Sequence, residues 1–146
     1  MVIPWLPISS NHAYFNLPRG GRKLSTQGEK FKRETAAHIV KNYPAELKEM
    51  IPDTPFGLAV QFAFKVLQNR TWPETAKNRY KRIDVSNRLK LLEDAIAHSG
   101  GIDDSQFLTV ILDKCEYEKE ETRIWIWNMV QEPEGITDVI GRIRGL

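Results

Sequence analysis

A mixed α/β domain is the fold class this sequence predicts, and three patterns carry it. Apolar residues alternate along residues 56–67, where Val60, Phe62, Phe64 and Val66 stand two apart, the period of a strand. Two segments, one entered at Ser25–Thr26 and one from Val85, repeat their apolar residues about once per helical turn. Two further strand-like runs, 107–112 and 123–128, follow one another closely near the end. A hairpin is the economical link between those last two, so the sheet should be at least partly antiparallel.

Taken in order, residues 1–6 read as a short strand that Pro7 ends. Residues 9–21 are rich in Asn, Pro and Gly and read as a loop. Ser25–Thr26 followed by Glu29 is a helix start, and the helix runs through Phe31, Thr35, Ile39 and Val40 until Pro44 interrupts it. A short turn covers 45–50. After the 56–67 strand, residues 68–82 form a long, polar, basic loop that we expect to be mobile and functional. The next helix runs from Val85 to about His98 and stops at Ser99–Gly100–Gly101. The run 116–121 reads as a solvated acidic hairpin tip. Residues 133–146 carry Ile136, Val139, Ile140 and Ile143 at helical spacing, a short amphipathic helical tail. The order is β-α-β-α-β-β with a C-terminal helix, all within one domain, residues 1–146.

Composition narrows the function classes. With 146 residues and 41% hydrophobic content the chain can bury a real core. Its longest apolar runs are too short to cross a bilayer, and the MVIPWLP start carries no secretory-signal pattern. One cysteine, Cys115, excludes an internal disulfide framework and a cysteine-rich zinc site. A reducing cytoplasm is the expected setting, without a membrane or an organic cofactor. Net charge is only +2, but its distribution is uneven. Cations gather at 19–23, 30–33 and above all 77–82 (KNRYKR), just ahead of acids at Asp84, Glu93, Asp94, Asp103 and Asp104. A basic run leading into carboxylates suits a polyanion brought to a metal.

Along the helix after Asp84 each residue advances about 100°. Lys90, Glu93, Asp94 and Ala97 then share one side, and Leu89, Leu91, Leu92, Ala95 and Ile96 form the core side. Carboxylates around one lysine are what metal-assisted phosphodiester chemistry requires. Each residue alone also has a plainer reading: Asp84 as a helix cap, Lys90 with Glu93 and Asp94 as a solvated face, Asp103–Asp104 as a turn. His98 in the last helical turn suits a cap, Cys115 a packing role, and Trp125 and Trp127 one face of a strand.

Three separated blocks of residues stand in register along the chain. The first is Pro4, Trp5, Pro7, Asn11 and Tyr14. The second is Ser25, Gly28 and Phe31. The third reads Asp84, Val85, Ser86, Asn87, Lys90, Asp94, Ala95 and Ile96, then Gly101 and Asp103–Asp104. In this order and spacing the three blocks resemble the RusA family of Holliday junction resolvases, and the resemblance covers roughly residues 3–128. It implies a homodimer, bacterial or phage-encoded, that binds four-way DNA and makes paired symmetric nicks with Mg²⁺, Mn²⁺ substituting. It further implies Asp84 and Asp104 as metal ligands, Lys90 for phosphate charge, and Asp94 in support. Where the family carries a second acid, this chain has Ser86, a poorer donor for a hard cation. Glu93, beside Lys90 on the helix, is the expected replacement. A junction-binding module with lost cleavage is the alternative. Lys77, Arg79, Lys81, Arg82, Arg22 and Lys23 are the expected DNA contacts.

Overall fold

The most apolar run of the chain becomes the middle of its main sheet. β4 (Phe56–Phe64) is buried at all nine positions and paired along both edges. β5 (Phe107–Glu116) runs parallel to it and β6 (Glu121–Asn128) antiparallel. β1 (Val2–Ile3) pairs outside β6, which gives the order β1-β6-β4-β5. The mixed α/β class and the partly antiparallel sheet are as the sequence predicts. The predicted hairpin is not: β5 and β6 lie on opposite sides of β4 and do not pair with each other. A strand with almost no polar residues must bury both faces, and its edge amides must then find partners on both sides. The acidic segment after Glu116 therefore crosses the end of β4, where Tyr117 N donates to Phe64 O at 2.8 Å. The strand also stops at Phe64, leaving Val66 exposed.

The computed structural model describes residues 1–71, 80–130 and 136–145. On one face of the sheet, Leu58, Val60 and Phe62 meet α2 (Thr26–Asn42) and α4 (Ser86–Gly100) through Phe31, Ile39, Leu91, Leu92 and Ile96. Each such side chain stabilises the fold by roughly 1.5–3 kcal/mol relative to exposure. Ser25 caps α2, its hydroxyl accepting from Gly28 N at 3.0 Å. Pro44 opens a separate short helix, α3 (Pro44–Lys48). Gly101, at φ 66°, closes α4 in the left-handed conformation that the Gly-Gly signal predicts. Ala97, expected on the Lys90 side, is buried: the core face of α4 is wider than one stripe because α2 packs against it as well as the sheet.

Residues 9–21 are more ordered than a loop. They hold a helical turn, α1 (Ser10–Ala13), and half of a two-stranded hairpin formed by β2 (Tyr14–Asn16) and β3 (Arg22–Leu24). The Pro and Gly that suggested a loop serve the hairpin's turn, where Gly20 and Gly21 take φ of 86° and 91°. On the far face of the sheet lies α5 (Ile136–Arg144), whose Val139 and Ile143 pack against Ala59, Trp125 and Trp127. Ile140, predicted to share that apolar face, is solvent-exposed instead.

Candidate active site

The chain leaves β4, returns through α4 and enters β5, a parallel crossover in which the start of α4 lies by Lys114, toward the end of β5, and the turn with Asp104 follows the other end of the helix, just before Phe107. Asp84 sits just ahead of the helix, and its carboxylate collects the donors that the first turn leaves unpaired. Oδ1 accepts from Ser86 Oγ at 2.6 Å, Ser86 N at 3.0 Å and Asn87 N at 3.4 Å, and Oδ2 accepts from Asn87 Nδ2 at 2.7 Å. The Ser86 hydroxyl is the main reason that Asp84 stays below the ordinary carboxylate pKa. The two backbone amides and the charge of Lys114 add to it. Ser86 therefore acts toward Asp84 as a hydrogen-bond donor.

One and a half turns on, Lys90 Nζ lies between two carboxylates. It contacts Asp94 Oδ1 at 3.0 Å and donates to Asp104 Oδ2. Both partners, Asp104 first, hold its pKa above the ordinary lysine value, so it is a fixed cation at any working pH. Glu93 is half-buried beside this trio. Burial raises its pKa, Asp104 and Asp94 raise it further, and Lys90 pulls it back. The other oxygen of Asp94 accepts from Tyr14 OH at 3.3 Å, which ties β2 to the cluster. Burial and the Asp94 charge push the Tyr14 phenol above its usual value. Asp103 is a turn residue: it accepts from Ser105 N at 2.9 Å and caps the short 3-10 turn Asp104–Gln106.

The predicted site residues thus fall into two sets. Asp94, Asp104 and Glu93 surround Lys90, while Asp84 stands with Ser86, Asn87 and Lys114. Lys114 is the residue that sequence reasoning missed. It lies on β5, donates to Ile83 O at 3.1 Å, and reaches Asp84 only because β5 pairs beside β4. Tyr14 and Asn87 were legible as motif positions but not as partners of Asp94 and Asp84. Of the predicted DNA contacts, Arg22, Lys23, Lys81 and Arg82 are exposed, and Lys77 and Arg79 lie outside the described residues. An isolated bridge between Gln68 and Tyr80 closes the base of the basic segment.

Among the described residues, no group of three or more His, Cys, Asp or Glu side chains is drawn together as a metal site. The donor chemistry still suits a hard divalent cation: carboxylate oxygens, two of which already converge on one positive charge. The cluster is open, with the Lys90 side chain 55% exposed, so a backbone phosphate could reach it. The family model described as Endodeoxyribonuclease RusA matches residues 4–127, a span that holds β4, β5, nearly all of β6, α4 and every residue of both sets. No curated protein matches the chain.

Proposed function

The chain belongs to the RusA endodeoxyribonuclease family, whose activity is resolution of Holliday junctions, and on that premise we propose that it is a Mg²⁺-dependent nuclease. In this reading it cuts four-way DNA as a homodimer, placing paired symmetric nicks during recombination, repair or phage DNA processing. The observation that carries the reading is the convergence of Asp94 and Asp104 on the exposed Lys90 of α4.

Asp84 and Asp104, with Glu93 or Asp94, would hold the cation. Bound there, Mg²⁺ or Mn²⁺ supplies Lewis-acid polarisation of the phosphate and a water of lowered pKa. The protein's own groups do the rest. Lys90, always protonated, offsets charge that builds on the non-bridging oxygens. Tyr14 holds one oxygen of Asp94, and Ser86 and Asn87 fix both oxygens of Asp84, so neither carboxylate has to be ordered when DNA arrives. Glu93, raised by burial and two neighbouring carboxylates, is the acid that a second positive charge would relieve most. Lys77, Arg79, Lys81, Arg82, Arg22 and Lys23 hold flanking phosphates without reading bases, so affinity falls steeply with salt. A two-fold dimer meeting a two-fold junction accounts for symmetric cutting.

A second reading keeps junction binding without cleavage. It is favoured by Ser86, which engages Asp84 where the family pattern has an acid. Incubation with a synthetic four-way junction and Mg²⁺ separates the two. Paired nicks that vanish in Asp84→Asn support the nuclease, and tight binding with no nicks under Mg²⁺ or Mn²⁺ leaves the binding module. Glu93→Gln should abolish cutting and spare binding; full activity in that variant would pass its role to Asp94.

A further inference from the structure

The β2–β3 hairpin grows directly out of the candidate site. Tyr14, its first residue, bonds Asp94, and the strands pair Tyr14 with Leu24, Phe15 with Lys23 and Asn16 with Arg22. Alternation along these strands sorts the side chains onto two faces. Tyr14, Asn16 and Arg22 share the face that leads to Asp94, and Asn16 Oδ1 accepts from Arg22 Nε at 3.4 Å. Phe15, Leu17 and Lys23 share the other. There, Phe15 is 47% exposed and Leu17 40%, large apolar groups standing in water at the tip of a small projecting element. The tip is closed by Gly20 N donating to Leu17 O and Leu17 N donating to Gly21 O, both at 3.0 Å. Residues 14–24 contain Arg19, Arg22 and Lys23 and no acid.

An exposed aromatic ring paired across the hairpin with Lys23, on a strand without acids and next in the chain to the tyrosine that bonds Asp94, fits a polyanion with accessible base faces. We propose that this hairpin is the branch-sensing element of the protein. Phe15, backed by Leu17, stacks on a base left unpaired or loosely stacked at the branch, while Arg22 and Lys23 clamp the phosphates on either side. Apolar wedges of this kind enter most readily where stacking is already broken. A continuous duplex offers no such base, so the same contact distinguishes a branch from plain DNA and sets the cluster against the adjacent phosphodiester. The inference rests on the junction reading above.

The test compares binding to a synthetic four-way junction and to a matched duplex in metal-free buffer, with 2-aminopurine placed at the branch point. Wild type should prefer the junction and raise the 2-aminopurine fluorescence. Phe15→Ala should lower the junction-to-duplex affinity ratio by about tenfold and remove the fluorescence change, and Phe15→Trp should restore both. Arg22→Gln with Lys23→Gln should weaken both DNAs alike. An unchanged ratio and signal in Phe15→Ala, in a protein that does prefer the junction, overturns the hairpin's role alone. A wild type with no junction preference overturns the junction reading as well. If light scattering shows that Phe15→Ala changes the oligomeric state, the ring seats a second copy, and the DNA role is overturned.

Discussion

Ser86 Oγ donates to Asp84 Oδ1 at 2.6 Å, and this contact does more than any other to keep Asp84 ionised. A serine beside the first motif aspartate therefore has a defined job. A second acid in its place would face Asp84 as a like charge and raise the pKa of one of the pair until a cation arrived. The serine keeps Asp84 charged and oriented without that need.

Ser86→Ala should move the Asp84 carboxyl upward, toward the ordinary aspartate value. The move should be partial, because the Asn87 side chain and the Ser86 and Asn87 amides still donate to it. A carboxyl ¹³C titration of the metal-free protein measures this. An identical titration in wild type and variant would mean that the helix start alone sets Asp84.

Lys90→Met removes a cation that both Asp94 and Asp104 contact. Removing one group that stabilises transition-state charge typically costs 10²–10³ in rate, so nicking should fall by about that factor. Junction binding should lose no more than one phosphate contact, with the salt slope falling by about 1. Equal losses in binding and in cutting would make Lys90 a binding residue only.

Much of this arrangement was legible in the sequence, and the remainder has a common physical cause. Local signals read well: Ser25 as a cap, Pro44 as a stop, Gly101 as a left-handed terminus, and Lys90 beside Asp94 at a helical spacing of four. What sequence could not give was partnership across the sheet. Whether β6 pairs with β5 or with β4 depends on which strand most needs both edges covered, and that is settled by the burial of Phe56–Phe64 as a whole. Lys114 stayed hidden for the same reason, since its approach to Asp84 follows from the parallel register of β5 on β4. The β2–β3 hairpin was hidden by composition, because Gly and Pro serve a tight hairpin turn as readily as an irregular loop.

Gly57 is a test of the far face of the sheet. A Cβ placed there would come within 2.0 Å of the ring of Trp127, its cross-strand partner on β6, which packs with the cluster of Val139 on α5. Gly57→Ala must displace that ring, so unfolding in urea should show a loss of about 1–3 kcal/mol. Trp127 fluorescence should shift to the red as the ring gains solvent. A variant of unchanged stability and spectrum would mean that the indole is free to move.

Glu116 anchors the start of the basic segment, and its behaviour with pH can be worked out in sign. Its carboxylate accepts from Leu67 N at 2.9 Å and Gln68 N at 3.4 Å and pairs with Arg70. The Leu67 amide is the largest cause of its lowered pKa. A carboxyl whose folded pKa is depressed adds stability that is present above its ordinary value and lost as pH falls through the depressed one. Amide exchange at Leu67 and Gln68 should therefore be well protected at neutral pH and lose that protection in acid, before the β4 amides do. Glu116→Ala should show the low-pH behaviour at neutral pH. Because Lys81 N donates to Leu67 O at 2.8 Å, the same variant should also loosen the Gln68–Tyr80 bridge. The cations on that segment would then be less well placed, and DNA affinity should drop although no DNA-contacting charge has been removed. Protection that is indifferent to pH would show that the backbone turn stands without the carboxylate.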